Sequence, residues 1–521
     1  MSEPDGAWDA IVVGTGLGGA TIGHRLAAAG HRVLFLEQGH RDPAVAAGAA
    51  TDGGEDPAQR LAAGYWPDRM RAQIDGRASR PFPVAGCGAG GSSLLYAAAL
   101  ERFAPHDVAN WPVGWDEWER HYAAAERLFR VAGTPDPLAR DVPALLPVPP
   151  AAAADAALMR AFARCGLHPY RLHVGLAYRQ GCAECGGRPC PSRCKSDARL
   201  ICLEPALAHG ATLLCDARVV RLDADDRRVT AVRYRRHGSE HRASARIVIL
   251  AAGAYRSPAL LLASTGPAWP EGLANRSGQV GRNLMFHANE WFAVWPPRRA
   301  DTSGPRKTIG LRDLYTHRGV RLGSIQSTGL SAHAGNIATF LAGWFETGRW
   351  RRVPFRRALI WFGARIAQRV LGAATIFVMI VEDRPYADNR VLLDTDDPAR
   401  IVVRYRIREE LRRRTGMARR LIAKAMRGLR VMPLQHDVQL NLGHPCGTCR
   451  AGLDPATSVL DADCRAHGVD NLYVVDASFM PSSGGANPGL TVIANALRVA
   501  EVVELRLAPA ALEPAASPTG A

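Results

Sequence analysis

The stretch "NLGHPCGTCRAG" (residues 441–452) sets His444 between a glycine and a proline, with Cys446 and Cys449 just behind it. Three chemistries suit these residue types. An imidazole beside two thiolates could hold a metal ion. A core histidine could satisfy its nitrogens internally. A neutral imidazole, with a reference pKa of about 6.5, could take a hydroxyl proton near neutral pH. The stretch alone leaves all three open. Asn487, in "ANPG", offers an amide that can hydrogen-bond a substrate oxygen and orient it without adding charge. Four more thiols, Cys182, Cys185, Cys190 and Cys194, crowd the segment "GCAECGGRPCPSRCKSD", a density that suits zinc or an iron–sulfur cluster.

The elements that must position these groups begin at the N-terminus. "DAIVVGTGLGGATIGHRLAAAGHRVLFLEQG" reads as strand, turn, helix and strand from Asp9 to Glu37. Gly14, Gly16 and Gly19 form G-x-G-x-x-G, which permits a tight turn and a close backbone approach to a pyrophosphate at the helix N-terminus. Glu37 is placed to accept hydrogen bonds from a ribose hydroxyl and disfavours a 2′-phosphate, so the nucleotide is FAD or NAD rather than NADP. A glycine-dense turn follows at residues 85–93, and "LLPVPPAAAADAAL" passes from linker to helix near Ala152. "TLLCDARVVRLDAD", "VTAVRYRRHG" and "RIVILAAGA" read as strands, as does "LYVVDAS" from Leu472. "VLGAATIFVMIV", from Val370, is too short to span a bilayer and reads as a buried strand. A helix with Pro488 in its first turn closes the fold, before a tail expected to be disordered.

The 521 residues can bury a large core, and a 47% hydrophobic, 22% charged composition is ordinary for a globular enzyme. The net charge of +16 is arginine-rich, yet no nucleic-acid-binding signature accompanies it, so no nucleic-acid partner is expected. The acidic N-terminus lacks a secretory pattern, and eleven cysteines, an odd number, point to a reducing compartment, so a cytoplasmic location is expected.

Three further segments carry a family resemblance. "GCGAGGSSLLYAAALERF" (86–103), "GAYRSPALLLASTG" (253–266) and the run from "HPCGTCRAG" to "NPGLTVIANALRVAE" resemble the signatures of the glucose–methanol–choline (GMC) oxidoreductases. The resemblance implies an α/β fold (α+β overall), with a Rossmann-like FAD-binding domain interleaved with a sheet-based substrate-binding domain. Residues 8–105, 200–290 and 440–507 would form the first. Residues 106–199 and 291–439 would form the second, with the cysteine loop and a lid, leaving 508–521 as the tail. It implies FAD and alcohol oxidation, with His444 as base and Asn487 as its partner. Cofactor contacts would come from Gly14, Gly16, Leu17, Gly18, Gly19, Glu37 and Gln38, and from Gly86, Gly91, Ser92 and Tyr96. Val219, Asp476, Ala477, Asn487 and Pro488 would complete the set.

Leu95 stands where some members carry a flavin-bonded histidine, so noncovalent FAD is expected. His287, in "VGRNLMFH", matches a position given a structural role. Glu382, just after the buried strand, resembles a glutamate that reaches the active site in cholesterol oxidases and is a candidate substrate contact. The cysteine loop resembles one that holds a three-iron cluster in some sugar dehydrogenases, but Lys195 replaces the usual proline. Structural thiols or a disulfide are therefore expected, with iron–sulfur or zinc as alternatives. The family's fold also hosts hydroxynitrile lyases and a light-driven decarboxylase, the alternative activities. Oxygen or another acceptor would take the electrons.

Two features pull the substrate in opposite directions. "GTCRAGLDPATSVLD" resembles oxidases of sugar hydroxyls in aminoglycoside pathways. "GRWRRVPFRRALIWFGARIAQRVLG" instead places Phe355, Leu359, Phe362, Ile366 and Val370 at helical spacing among Arg349, Arg351, Arg352, Arg356, Arg357, Arg365 and Arg369. Such a stripe either packs on the substrate domain as a lid helix with its arginines solvated, or forms a peripheral membrane contact over residues 349–370 at an entrance for sterol, terpenoid or long-chain alcohols.

Overall fold

Short apolar runs with no polar alternation fold as strands buried on both faces, and the opening strand, Trp8–Val13, is such a run. The structure, a computed structural model, describes residues 8–43, 54–141, 143–179, 182, 184–297, 301, 303–330, 333–335, 337–338, 341, 355–397 and 400–508. Trp8–Val13 lies between the parallel strands Ala245–Leu250 and Val33–Leu36, and Leu472–Val474 and Thr212–Leu214 complete a five-stranded sheet. Helix Leu17–Ala28 makes the first crossover and packs against the last helix, Gly489–Leu507.

Strands from distant parts of the chain thus bring their carboxyl ends together, where ligands bind in open α/β sheets. Gly14 follows the first strand, Glu37 the second, Ala251 the strand from Ala245, and Val475–Asp476 the strand from Leu472.

A second, seven-stranded sheet runs in the order Val431–Pro433, Met285–Val294, Thr375–Val381, Ile325–Ser327, Ile309–Leu311 and Tyr170–Arg171, with Gln439–Cys446 also pairing Met285–Val294. Thr375–Val381 is buried throughout, as the apolar run requires, but Val370 and Leu371 end the preceding helix and Gly372 caps it. One face of this sheet is covered by helices Ala153–Arg164 and Glu409–Ala425, through Leu158, Phe162, Leu411, Ala418 and Ile422. His287, Asn289 and Trp291 alternate onto the opposite face. The pairing sets Val378 beside Trp291, and Gln326 beside Val378, so Gln326 shares that face.

The helix over Arg356–Leu371 corrects the packed-stripe expectation. Its buried side is Ile360, Ala364 and Leu371, with Ile360 and Ala364 against Ala334 and Ala338, because small residues allow a close approach. Phe355, Leu359, Phe362, Ile366 and Val370 all face solvent. Arg349, Arg351 and Arg352 lie outside the described residues. No helix among the described residues is long and apolar enough to cross a membrane.

Candidate active site

His444 stands near the end of strand Gln439–Cys446, and the first turn of its chemistry is set by a neighbour. His287 Nδ1 lies 3.0 Å from His444 Nδ1, with the rings at 89°. His287 Nε2 lies 3.1 Å from both the Ser483 and Gly484 carbonyl oxygens. Carbonyls only accept, so Nε2 must carry the hydrogen. Burial holds the His287 pKa down to about 4, against the opposing pull of those carbonyls, so the ring is neutral and its Nδ1 is bare. His444 must then donate from Nδ1, which leaves its own Nε2 with a free lone pair. That nitrogen has no hydrogen-bond partner among the described residues. Burial first, then His287 and Lys307, hold His444 well below the ordinary imidazole value. A neutral imidazole in this tautomer is a proton acceptor in waiting.

Cys446 and Cys449 are buried thiols pushed well up by burial, and Cys446 donates to the Met285 carbonyl oxygen at 3.8 Å. With His444 they form no group of side chains arranged to hold a metal ion among the described residues.

The loop that His287 grips leads into Asn487, whose Oδ1 is buried with no partner. Pro488 sits at the N-cap position of the last helix, one residue before its first turn. Around His287 the sheet face is polar: Asn289 Oδ1, Trp291 Nε1 and Gln326 Oε1 are buried without partners. Lys307 adds a buried ammonium whose pKa burial lowers to about 8, and whose Nζ finds no hydrogen-bond partner among the described residues. Its backbone N–H donates to Glu184 at 3.0 Å, so the cysteine loop fixes the lysine. Glu382 is buried and pairs with the partly exposed Arg321 at 2.9 Å, and burial raises its pKa to about 7.

On the nucleotide side, residues are shaped by what they lack. A Cβ on Gly18 would sit 2.1 Å from the Val475 carbonyl oxygen, and one on Gly19 2.2 Å from that of Gly14. At Gly16, the N-cap of the first helix, a Cβ would meet nothing within 4 Å. A pyrophosphate fits there, against a helix N-terminus with its first N–H groups unspent. Leu17 follows it and Gly91 presses on it, a Gly91 Cβ falling 2.8 Å from Gly16 Cα. Glu37 accepts from Thr15 Oγ1 at 2.7 Å and from Gly39 N–H at 3.0 Å, and burial raises its pKa. Gly90 N–H donates to Thr15 Oγ1 at 3.1 Å, fastening the second glycine loop to the first. Within that loop Ser92 Oγ accepts from Gly86 N–H at 3.0 Å. Asp476 accepts from Gly253 N–H and Ser478 N–H, both at 2.9 Å, and Ala477 begins the turn beyond it. Val219 is held in its strand opposite Tyr234, and Gln38 shares a cleft with Cys87 and Arg256. The residues present therefore fit an FAD.

The cysteine loop folds around Cys194, with Cys190 Sγ at 3.3 Å and Cys182 Sγ at 3.5 Å, and Cys185 packed beside them. Among the described residues no group of three or more histidine, cysteine, aspartate or glutamate side chains is arranged to hold a metal ion. Lys195 explains the missing proline. Its buried ammonium donates to the carbonyls of Leu94, Cys185, Arg188 and Tyr96 at 2.6–3.1 Å, lashing this loop to the glycine loop. Tyr96 OH donates to the Ser196 carbonyl oxygen in the same seam. Lys195 stood out in the sequence only as a departure from proline, and Lys307 not at all, because one binds backbone carbonyls and the other acts on a histidine distant in the chain. His287 carried a signal, its match to a family position given a structural role, but not its contact with His444.

The family models described as "GMC oxidoreductase" match residues 8–289 and 385–496. The chain is 31% identical to 6′′′-hydroxyparomomycin C oxidase of Streptomyces lividus over 97% of this chain and 92% of that protein. It is 30% identical to paromamine 6′-oxidase of Streptomyces fradiae, over 96% and 92%. The fold superposes on pyridoxine 4-oxidase from Mesorbium loti with a TM-score of 0.65 at 21% identity, covering 96% and 99% of the two chains.

Proposed function

Because the chain belongs to the GMC oxidoreductases, enzymes acting on CH–OH groups, we propose that it binds FAD noncovalently and oxidises a hydroxyl-rich, sugar-like alcohol to the aldehyde or ketone. The observation that carries this reading is the His287–His444 hydrogen bond, which leaves His444 Nε2 bare. That nitrogen takes the substrate hydroxyl proton. The resulting imidazolium strengthens its Nδ1–H bond to His287, since a charge-assisted hydrogen bond is roughly twice as strong as a neutral one. Asn487 orients the substrate oxygen. FAD, held by the glycine turn, Glu37 and the Asp476–Ala477 corner, supplies the hydride acceptor. Oxygen or another acceptor would take the electrons. Residues 8–105, 200–290 and 440–507 form the cofactor domain in this reading, and 106–199 with 291–439 the substrate domain.

The sugar-like preference rests on the polar wall of Asn289, Trp291, Gln326 and Lys307, which offers donors and acceptors to hydroxyls. Unmatched, such groups would penalise an apolar substrate, because a buried polar atom left unpaired costs about 1–3 kcal/mol. The named activities of the two Streptomyces relatives, on aminoglycosides, support the same class. The apolar stripe, whose membrane-facing reading suggested sterols or long-chain alcohols, faces solvent and contributes no residue to the polar wall. Anaerobic mixing with sugars, sterols and fatty alcohols tests the proposal. Sugar-like alcohols should bleach the flavin absorbance, and denaturation should release the FAD. Bleaching by sterols alone would remove the substrate class; bleaching by no alcohol would remove the oxidation itself.

A further inference from the structure

Six of the twelve large apolar side chains that lie exposed among the described residues belong to one short segment: Phe355, Leu359, Trp361, Phe362, Ile366 and Val370. Phe355 is 85% and Phe362 68% exposed. At 3.6 residues per turn, the line Phe355–Leu359–Phe362–Ile366–Val370 sits roughly 140° around the axis from Ile360, Ala364 and Leu371, the side that packs on the protein. The helix is thus held by its small face and presents its bulky face outward. A soluble protein rarely leaves so contiguous an apolar surface uncovered.

Charge identifies what covers it. Residues 356–371 contain Arg356, Arg357, Arg365 and Arg369 and no acidic residue. Arg365 and Arg369 edge one side of the stripe and Arg356 the other. None of the four forms an ion pair among the described residues. A second copy seated on the same stripe would bring these arginines together with no carboxylate on either helix to neutralise them, which disfavours self-association through this face. An anionic lipid surface satisfies both features: its acyl region takes the aromatic and aliphatic side chains, and its headgroups take the guanidiniums. We propose that helix Arg356–Leu371 docks the enzyme on an anionic bilayer, lying in the interface with Leu359, Phe362 and Ile366 inserted. The helix also touches the substrate sheet, since Leu371 and Ala367 share an apolar cluster with Ala293, Ile376 and Trp291. Docking therefore sets the catalytic body directly on the membrane surface.

The test is sedimentation of the FAD-loaded enzyme with vesicles of phosphatidylcholine containing phosphatidylglycerol, against phosphatidylcholine alone, at low ionic strength. Binding should appear only with the anionic vesicles and weaken as salt is raised. Phe362→Asp with Ile366→Asp should abolish it. Arg365→Gln with Arg369→Gln should weaken it roughly thirtyfold, from about a fivefold loss for each arginine near the surface. Flavin reduction by a soluble alcohol should be unchanged in both variants, which reports that the site is intact. No binding to anionic vesicles overturns the proposal, as does equal binding to neutral ones. So does a dimer in analytical ultracentrifugation that Phe362→Asp/Ile366→Asp dissociates, since the stripe would then belong to a second copy.

Discussion

The two walls of the proposed active site are built on opposite principles. The nucleotide wall works by subtraction: Gly14, Gly18 and Gly19 lack side chains because backbone from three strands closes to distances at which no Cβ fits. The proton wall works by addition: His444, His287, Asn487 and Lys307 each project a polar group whose state is fixed by a partner, or left open by the lack of one. A defect in the first should cost the cofactor or the fold, whereas a defect in the second should cost chemistry while both survive. That separation can be broken or sharpened by experiment.

The largest effect belongs to His444. His444→Ala should lower the rate of flavin reduction by about 10²–10⁴, the usual worth of a positioned base, with FAD still bound. Loss of FAD in that variant would erase the distinction between the walls. Next are two glycines that differ only in what surrounds them. Gly18→Ala should reduce thermal stability, because its Cβ would fall 2.1 Å from a backbone oxygen that cannot swing away. Gly16→Ala should leave the apoprotein as stable as wild type and weaken FAD binding, because its Cβ meets nothing of the protein within 4 Å and would stand at the helix N-terminus proposed to receive the pyrophosphate. Equal melting temperatures for the two apo variants would contradict this account.

His287 acts through its neighbour and is a positioning residue. His287→Phe removes the acceptor of the His444 Nδ1 hydrogen, so His444 can drift to the unproductive tautomer. Flavin reduction should slow by about 10–100-fold, less than in His444→Ala, and the pH profile should change shape. The profile itself is informative. His444 is held below the ordinary imidazole value, so it stays a competent base to lower pH, and the acid limb of kcat/KM should fall below pH 6.5. Stability follows the same sign for His287. Its folded pKa of about 4 lies below the unfolded value of 6.5, so its contribution is complete above pH 6.5. As pH drops toward 4 that contribution is withdrawn, by about 3 kcal/mol in all, which urea titrations across this range should register.

The smallest change is expected at Lys307. Lys307→Met should raise KM several-fold for a hydroxyl-rich substrate with little change in kcat, the pattern of uniform binding lost. It should also move the acid limb upward, because a positive charge that depresses His444 has gone. An unchanged KM would remove Lys307 from the substrate wall.

How much of this was legible beforehand differs between the walls for a physical reason. The glycine turn, the strand before it and Glu37 after it are local: their spacing reflects the geometry of one strand–helix–strand unit of the chain, and the five-stranded parallel sheet follows from runs that are apolar on both faces. His444 was likewise visible, as one of three chemistries. The seven-stranded sheet was only loosely readable, because its strands are short, come from residues 170 to 446, and gain their meaning from pairing rather than from pattern. The amphipathic helix was legible as a helix, yet its periodicity could not say which face meets protein, and the structure turned the bulky face outward.

What the sequence determined by itself was the set of parts: a dinucleotide turn, a histidine and an asparagine near the C-terminus, a cysteine loop and an arginine-edged stripe. Only the tertiary structure decided the state of those parts. His444 owes its tautomer to a ring 157 residues away and to two carbonyls beyond it. Lys195 binds two loops through backbone oxygens that no pattern of side chains encodes. A short segment fixes its own backbone geometry through local sterics and hydrogen bonds. Which proton sits on which nitrogen depends on burial and on partners that long-range packing alone brings within reach.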